Sequence, residues 1–140
     1  LFIRDVDVHS LSTMTYFLVS SWLTIFLFPR QVAILAILFL TFGDPIASFV
    51  GIKFGKTRLH WGKSIEGSLA CYATCFLIAM IYLGSTIPEK PLSVFIFSVY
   101  AGALGAIVEV LPWKLDDNLT IPLLAGFLMT PMYTLLFQML

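Results

Sequence analysis

Apolar residues run along this chain in five long blocks, each closed off by proline, glycine or charged positions. A helix needs about 20 residues, at ~1.5 Å each, to cross ~30 Å of hydrocarbon, and every block is close to that length. The pattern predicts membrane-spanning helices over residues 11–28, 31–50, 65–84, 92–111 and 119–140. The connections between them are too short to hold a soluble domain. The chain therefore reads as all-α, a polytopic transmembrane helical bundle of about five membrane-spanning segments that forms a single integral membrane domain over residues 1–140.

Composition supports the bilayer reading. Hydrophobic residues make up 59% and charged residues 11% of the chain, whereas an ordinary soluble domain carries about 25% charged residues. The formal net charge is zero and no basic stripe runs along the sequence, which argues against nucleic acid as a partner. No charged n-region with a small-residue cleavage site precedes the first apolar block, and the first residue is Leu, so the chain reads as a fragment without a signal peptide. Oligomeric state is not legible at this level.

Charge order then adds sidedness. Five crossings put Arg4, Lys53, Lys56, Arg58, Lys63 and Lys114 on one side and only Arg30 and Lys90 on the other. Cytoplasmic loops collect the excess of Lys and Arg, so the crowded side is expected to be cytoplasmic. The acids follow without having been used: Asp5, Asp7, Asp44, Glu66, Glu109, Asp116 and Asp117 lie at or toward that face, and Glu89 does not. A structural membrane protein has no reason to gather carboxylates at one face, so a site is expected there.

Asp44 interrupts an almost wholly apolar run, and an Asp near the middle of a span costs ~2.5–3.5 kcal/mol on insertion scales. With Pro45 behind it, it reads as the N-cap of a new helix after a break, an arrangement that presents free N–H groups to an anion. Gly51 and Gly55 follow one turn apart. At that spacing glycines pack helices more often than they cradle phosphate, but Lys53, Lys56, Arg58 and Lys63 make the stretch a flexible basic loop suited to a polyphosphate or to anionic headgroups. Lys63-Ser64-Ile65-Glu66-Gly67-Ser68 opens the third span with a cation, two hydroxyls and an acid. Ser64 as N-cap with an acid in the first turn explains the same residues as a plain helix start. Glu109, Asp116, Asp117 and Asn118 are hard oxygen donors of the kind Mg²⁺ takes, more acids than a helix cap requires. His9 and His60 carry no spacing constraint, and Cys71 and Cys75, four apart on one helix, read as packing.

Taken together, Gly43-Asp-Pro-Ile-Ala-Ser48-Phe-Val-Gly51-Ile-Lys-Phe-Gly55-Lys56, then Lys63-Ser-Ile-Glu-Gly-Ser68, then Glu109 and Asp116-Asp-Asn118-Leu-Thr-Ile-Pro122 resemble the polyprenol kinase family over roughly residues 1–128. That family includes dolichol kinase, phytol kinase and CTP-dependent diacylglycerol kinase, integral membrane enzymes that move the γ-phosphoryl group of CTP to a lipid hydroxyl. The resemblance implies catalytic roles for Asp44, Lys63 and Glu66. It implies nucleotide contacts from Ser48, Gly51, Lys53, Gly55, Lys56, Ser64 and Gly67, and Mg²⁺ ligands among Asp44, Glu109, Asp116, Asp117 and Asn118. An upstream helical region of the family, with an Arg-Lys pair and a His, has no counterpart in this chain. Expected partners are CTP, a membrane lipid alcohol and the bilayer of a bacterial inner membrane or endoplasmic reticulum. A phosphatidate cytidylyltransferase-like enzyme is the alternative, since it shares the Asp helix, the Gly-x-x-x-Gly loop and the Lys-x-x-Glu-Gly stretch but has other later motifs. A transporter subunit with Asp44 on a broken helix is the non-enzymatic alternative.

Overall fold

The computed structural model describes residues 5–59, 62–111 and 117–139, with side chains for 13–59, 62–111 and 118–139. Among the described residues there is no β-strand, and the chain is the all-α polytopic bundle that its apolar blocks predict. Four helical stretches among them are long and apolar enough to cross a membrane: Arg30–Phe54, Ile65–Thr86, Pro91–Val110 and Asn118–Met139. A fifth apolar stretch, Thr13–Leu27, belongs to helix α1 (Asp5–Leu27).

The second span corrects the sequence reading at Asp44. Helix α2 (Arg30–Leu38) passes through a π-helical turn (Phe39–Gly43) directly into α3 (Asp44–Phe54), and Gly43 and Asp44 both keep right-handed helical dihedrals. Asp44 is therefore not an N-cap, and no break presents free N–H groups there. Pro45 explains the π turn: it cannot donate to the carbonyl four residues back and its ring crowds it. The wider turn lets the Asp44 N–H reach the Phe39 carbonyl instead, and the helix continues. Its length becomes 25 residues, longer than the 31–50 segment expected.

Helix α4 (Ile65–Thr86) starts on Ser64, whose Oγ accepts the Gly67 N–H at 3.1 Å. Helix α5 (Pro91–Val110) begins with Pro at its first position, where a missing N–H costs nothing. Helix α6 (Asp117–Tyr133) carries Pro122 and Pro131 internally and runs on into a second π-helical turn (Thr134–Met139). Hydroxyls scattered through these apolar helices bond back to carbonyls on their own helix. Thr74 donates to Ala70 O, Ser98 to Val94 O and Thr130 to Gly126 O, each at 2.7–2.8 Å. Hydrocarbon offers no water to such groups, so the local carbonyl is their partner.

Helices α4 and α5 pack antiparallel through small residues, Ala79, Ala101, Gly102 and Gly105. A Cβ at Gly105 would stand 2.7 Å from Cys75 Sγ, so only glycine permits this approach. Leu35, Phe39, Phe97 and Met129 fill the centre, while Leu18, Trp22, Phe26, Ile52, Leu77, Ile81 and Phe127 are exposed, as a lipid-facing surface requires. Cys71 and Cys75 are buried free thiols in the packing, as expected. Because α4 and α5 are antiparallel, the start of α4 and the end of α5 meet at one end of the bundle. Lys90 lies at the other end, with its Nζ 3.5 Å from the Phe137 carbonyl.

Candidate functional site

Glu109, in the last turn of α5, is the buried centre of the polar end, with only 6% of its surface exposed. A carboxylate taken out of water needs charge and hydrogen bonds in return. It has both. Lys63 Nζ lies 2.9 Å from its Oε1, and Ser68 Oγ lies 3.3 Å from its Oε2. Lys63 is delivered by the loop just before the α4 cap, and Ser68 sits one turn into α4, so the start of one helix clamps the end of its neighbour.

The described residues of the loop that carries Lys63 are joined by backbone hydrogen bonds that its composition does not foretell. Leu59 N–H donates to Lys63 O at 2.7 Å, Ile65 N–H to Thr57 O at 3.1 Å, and Arg58 pairs with Ser64 in an isolated antiparallel bridge. Gly62 turns the chain with φ +82°, a conformation other residues rarely adopt. Arg58 Nη1 donates to the Gly62 carbonyl at 3.2 Å, holding the guanidinium over the turn.

Beside this loop α3 and α4 cross at glycines. A Cβ on Gly67 would come within 2.7 Å of Ala47 O, and one on Gly51 within 2.9 Å of Ser64 Oγ. The crossing leaves a cleft of about 240 Å³ lined by Ser48, Gly51, Arg58, Gly62, Lys63, Ser64, Gly67 and Glu109, with Ala47 and Ile52 as its apolar wall. Two cations, two hydroxyls and the N-terminus of a 22-residue helix face this one space. A helix N-terminus carries roughly half a positive charge, so the cleft is built for an anion.

Asp44 comes to the same place from the other helix. With Glu109, Cys71, Cys75, Phe39 and Gly105 it lines a cavity of about 10 Å³, room for about one water-sized sphere. Asp44 and Glu109 are hard oxygen donors on a shared small space, with Glu109 also walling the cleft. That suits Mg²⁺, which takes one or two carboxylates and completes its shell with water and substrate phosphates. Among the described residues no three His, Cys, Asp or Glu side chains are placed to hold a metal ion together, so the phosphates or residues outside the described set would have to complete such a shell.

The remaining sequence-predicted residues divide. Ser48, Gly51, Ser64 and Gly67 line the cleft with Lys63. Lys53, Gly55, Lys56 and Glu66 line a separate depression instead. Glu66 there accepts the Thr57 N–H at 3.2 Å and so fastens the loop. Asn118 lines a groove against α1 with Thr13, Met14, Phe17 and Leu18, and its carbonyl accepts Ser20 Oγ at 2.6 Å. Asp116 and the side chain of Asp117 lie outside the described residues, as does His60. Ser68, quoted in the Lys63–Ser68 motif without a role of its own, touches Glu109. Arg58, expected in the basic loop that suits a polyphosphate, takes its position from the Gly62 turn.

Fold and site together define a polytopic integral membrane protein with a basic cleft and two carboxylates gathered at one end of its bundle. The chain is 26% identical over 136 residues to CTP-dependent diacylglycerol kinase 1 of Schizosaccharomyces pombe, covering 90% of this chain and 62% of that protein. It is 29% identical over 127 residues to phytol kinase of Synechocystis, covering 86% and 54%, and 36% identical over 110 residues to the chloroplastic farnesol kinase of Arabidopsis thaliana, covering 70% and 36%. These similarities support a polyprenol and lipid kinase family. The chain spans about half the length of these curated relatives. No protein-family model and no solved structure matches it.

Proposed function

We infer that the chain forms the phosphoryl-transfer site of a membrane lipid kinase, which moves the γ-phosphoryl group of CTP to the hydroxyl of a lipid alcohol. The observation that carries this reading is the cleft in which Arg58, Lys63 and the α4 N-terminus meet beside Glu109. The names of the relatives supply the donor and acceptor classes.

Phosphoryl transfer asks little covalent chemistry of a protein. It asks for in-line positioning and for neutralisation of charge on the transferring group. Arg58 and Lys63 would hold the phosphate chain, with Ser48 and Ser64 as hydroxyl donors. The lipid oxygen attacks the γ-phosphorus, the bond from that phosphorus to the β–γ bridging oxygen breaks, and CDP leaves. The hydroxyl proton passes to a carboxylate, for which Asp44 and Glu109 are the candidates at the site. Mg²⁺, held by Asp44 and Glu109, would supply further neutralisation of the phosphates. Lys63 has a second duty: paired with Glu109, it holds that carboxylate in place before substrate arrives. The cleft is proposed to open on the cytoplasmic side, from the six-to-two division of Lys and Arg.

The test is transfer of label from γ-labelled CTP to diacylglycerol, phytol, farnesol and dolichol by the purified full chain in lipid. Labelled lipid phosphate is the expected product, whereas CDP-lipid with pyrophosphate would assign a cytidylyltransferase and overturn the reading. Asp44→Asn is expected to lower turnover by about a hundredfold or more while the protein remains inserted.

A further inference from the structure

The depression on the other side of the α3–α4 hairpin has no part in the chemistry above, yet it is as basic as the cleft. It holds about 560 Å³ and is lined by Lys53, Phe54, Gly55, Lys56 and Glu66. We propose that it is a binding site for the headgroup phosphate of an anionic membrane phospholipid.

Placement is the first argument. Phe54 ends one membrane-length helix and Ile65 begins the next, so Lys53 and Lys56 sit where hydrocarbon gives way to headgroups. Phe49, Ile52 and Phe54 are all more than half exposed on the same stretch, which presents an apolar surface to acyl chains directly below the two ammonium groups. Lys53 Nζ lies 5.4 Å from the Phe49 ring centroid and 5.5 Å from that of Phe54. The rings hold the lysine at the boundary with its stem along apolar surface and its charge outward.

Charge is the second argument. Two lysines and one glutamate leave the depression with a single net positive charge, the complement of one phosphodiester. Glu66 keeps its charge while its carboxylate accepts the Thr57 N–H at 3.2 Å and 3.4 Å, and Lys56 acts on it electrostatically, so the surplus is one positive charge and not two. Basic residues at this level attract anionic lipids even when scattered. A pair whose Lys53 is backed by two aromatic rings, beside an exposed apolar surface, adds position to that attraction. Lys53 and Lys56, expected from the sequence to touch nucleotide, are thereby assigned to lipid. This assignment stands beside the nucleotide reading and does not depend on it.

The experiment is native mass spectrometry of the purified full chain released from nanodiscs of phosphatidylcholine with and without phosphatidylglycerol, run in parallel with CTP titration in detergent free of phospholipid. Wild type is expected to retain one phosphatidylglycerol in preference to phosphatidylcholine. Lys53→Gln/Lys56→Gln should weaken that retention roughly tenfold or more, with CTP affinity unchanged and far-ultraviolet circular dichroism unchanged. Lys53→Arg/Lys56→Arg should keep it. Retention equal in wild type and the Gln pair would overturn the proposal, as would a Gln pair that loses CTP affinity in detergent. Failure of the nucleotide reading is separate: it would show as absent CTP binding in wild type with phosphatidylglycerol retention intact.

Discussion

The two faces of the α3–α4 hairpin carry nearly the same amino acids and build different environments from them. On one face Arg58 and Lys63 are held by a backbone turn and by buried Glu109. On the other, Lys53 stands against exposed aromatic rings, with Lys56 and a carboxylate that also fastens the loop beside it. A basic run in sequence is one cluster, whereas in space it is two, because Lys53 still belongs to α3 and Lys63 follows a reversal of the chain. What separates the proposed phosphoryl-transfer site from the proposed lipid site is burial of the counter-charge. Glu109 lies within the bundle and Glu66 lies at its rim.

The sharpest way to break that contrast is the Lys63–Glu109 pair. Lys63→Met should leave Glu109 buried and unpaired, at a cost of about 3–5 kcal/mol, and should also abolish phosphoryl transfer. Lys63→Met/Glu109→Leu should restore much of the stability and none of the activity, read as thermal midpoint against label transfer. If the double variant were no more stable than Lys63→Met, the pair would not be the clamp described.

Glycine at the helix crossing gives the next effect. Gly67→Ala places a Cβ 2.7 Å from Ala47 O, and the forced separation of α3 from α4 should cost about 1–3 kcal/mol. Thermal unfolding in detergent measures it, and a midpoint equal to wild type would show the crossing to be looser than it looks.

Loss of the Ser64 cap acts on the same helix end more gently. Ser64→Ala removes the acceptor for the Gly67 N–H and should cost ~1 kcal/mol, with Ser64→Asp recovering most of it. The smallest effect belongs to the far face. Glu66→Gln keeps an oxygen to accept the Thr57 N–H, so label transfer should change by no more than about twofold. A hundredfold loss there would return Glu66 to the catalytic role the family resemblance implied.

The bundle itself was legible because hydrocarbon imposes one rule on a chain: span it with about 20 apolar residues whose backbone groups bond internally. Boundaries at Pro29, Ser64 and Pro91 followed from local stereochemistry and appear in the structure nearly where expected. Asp44 is where local reasoning failed. Asp-Pro is a sound helix-start signal, but its alternative, a π turn within a continuous helix, keeps the backbone bonded through hydrocarbon, where a break would strand it. The loop was only partly legible for a related reason: composition shows glycine and lysine, not the hydrogen bonds that the Thr57, Leu59 and Ile65 N–H groups donate.

By itself the sequence determined that this is a membrane bundle, that its charge is ordered toward one face and that its motifs resemble those of the polyprenol kinase family, since each rests on residue type and order along one dimension. Only the tertiary structure decided which of those charges share a space. Facing depends on the rotation of each helix and on where the chain reverses, and these are set by glycine crossings and buried counter-charges contributed by segments far apart in sequence. Glu109 and Lys63 are 46 positions apart in sequence and 2.9 Å apart in space, while Lys53 and Lys63, ten positions apart, line two separate cavities.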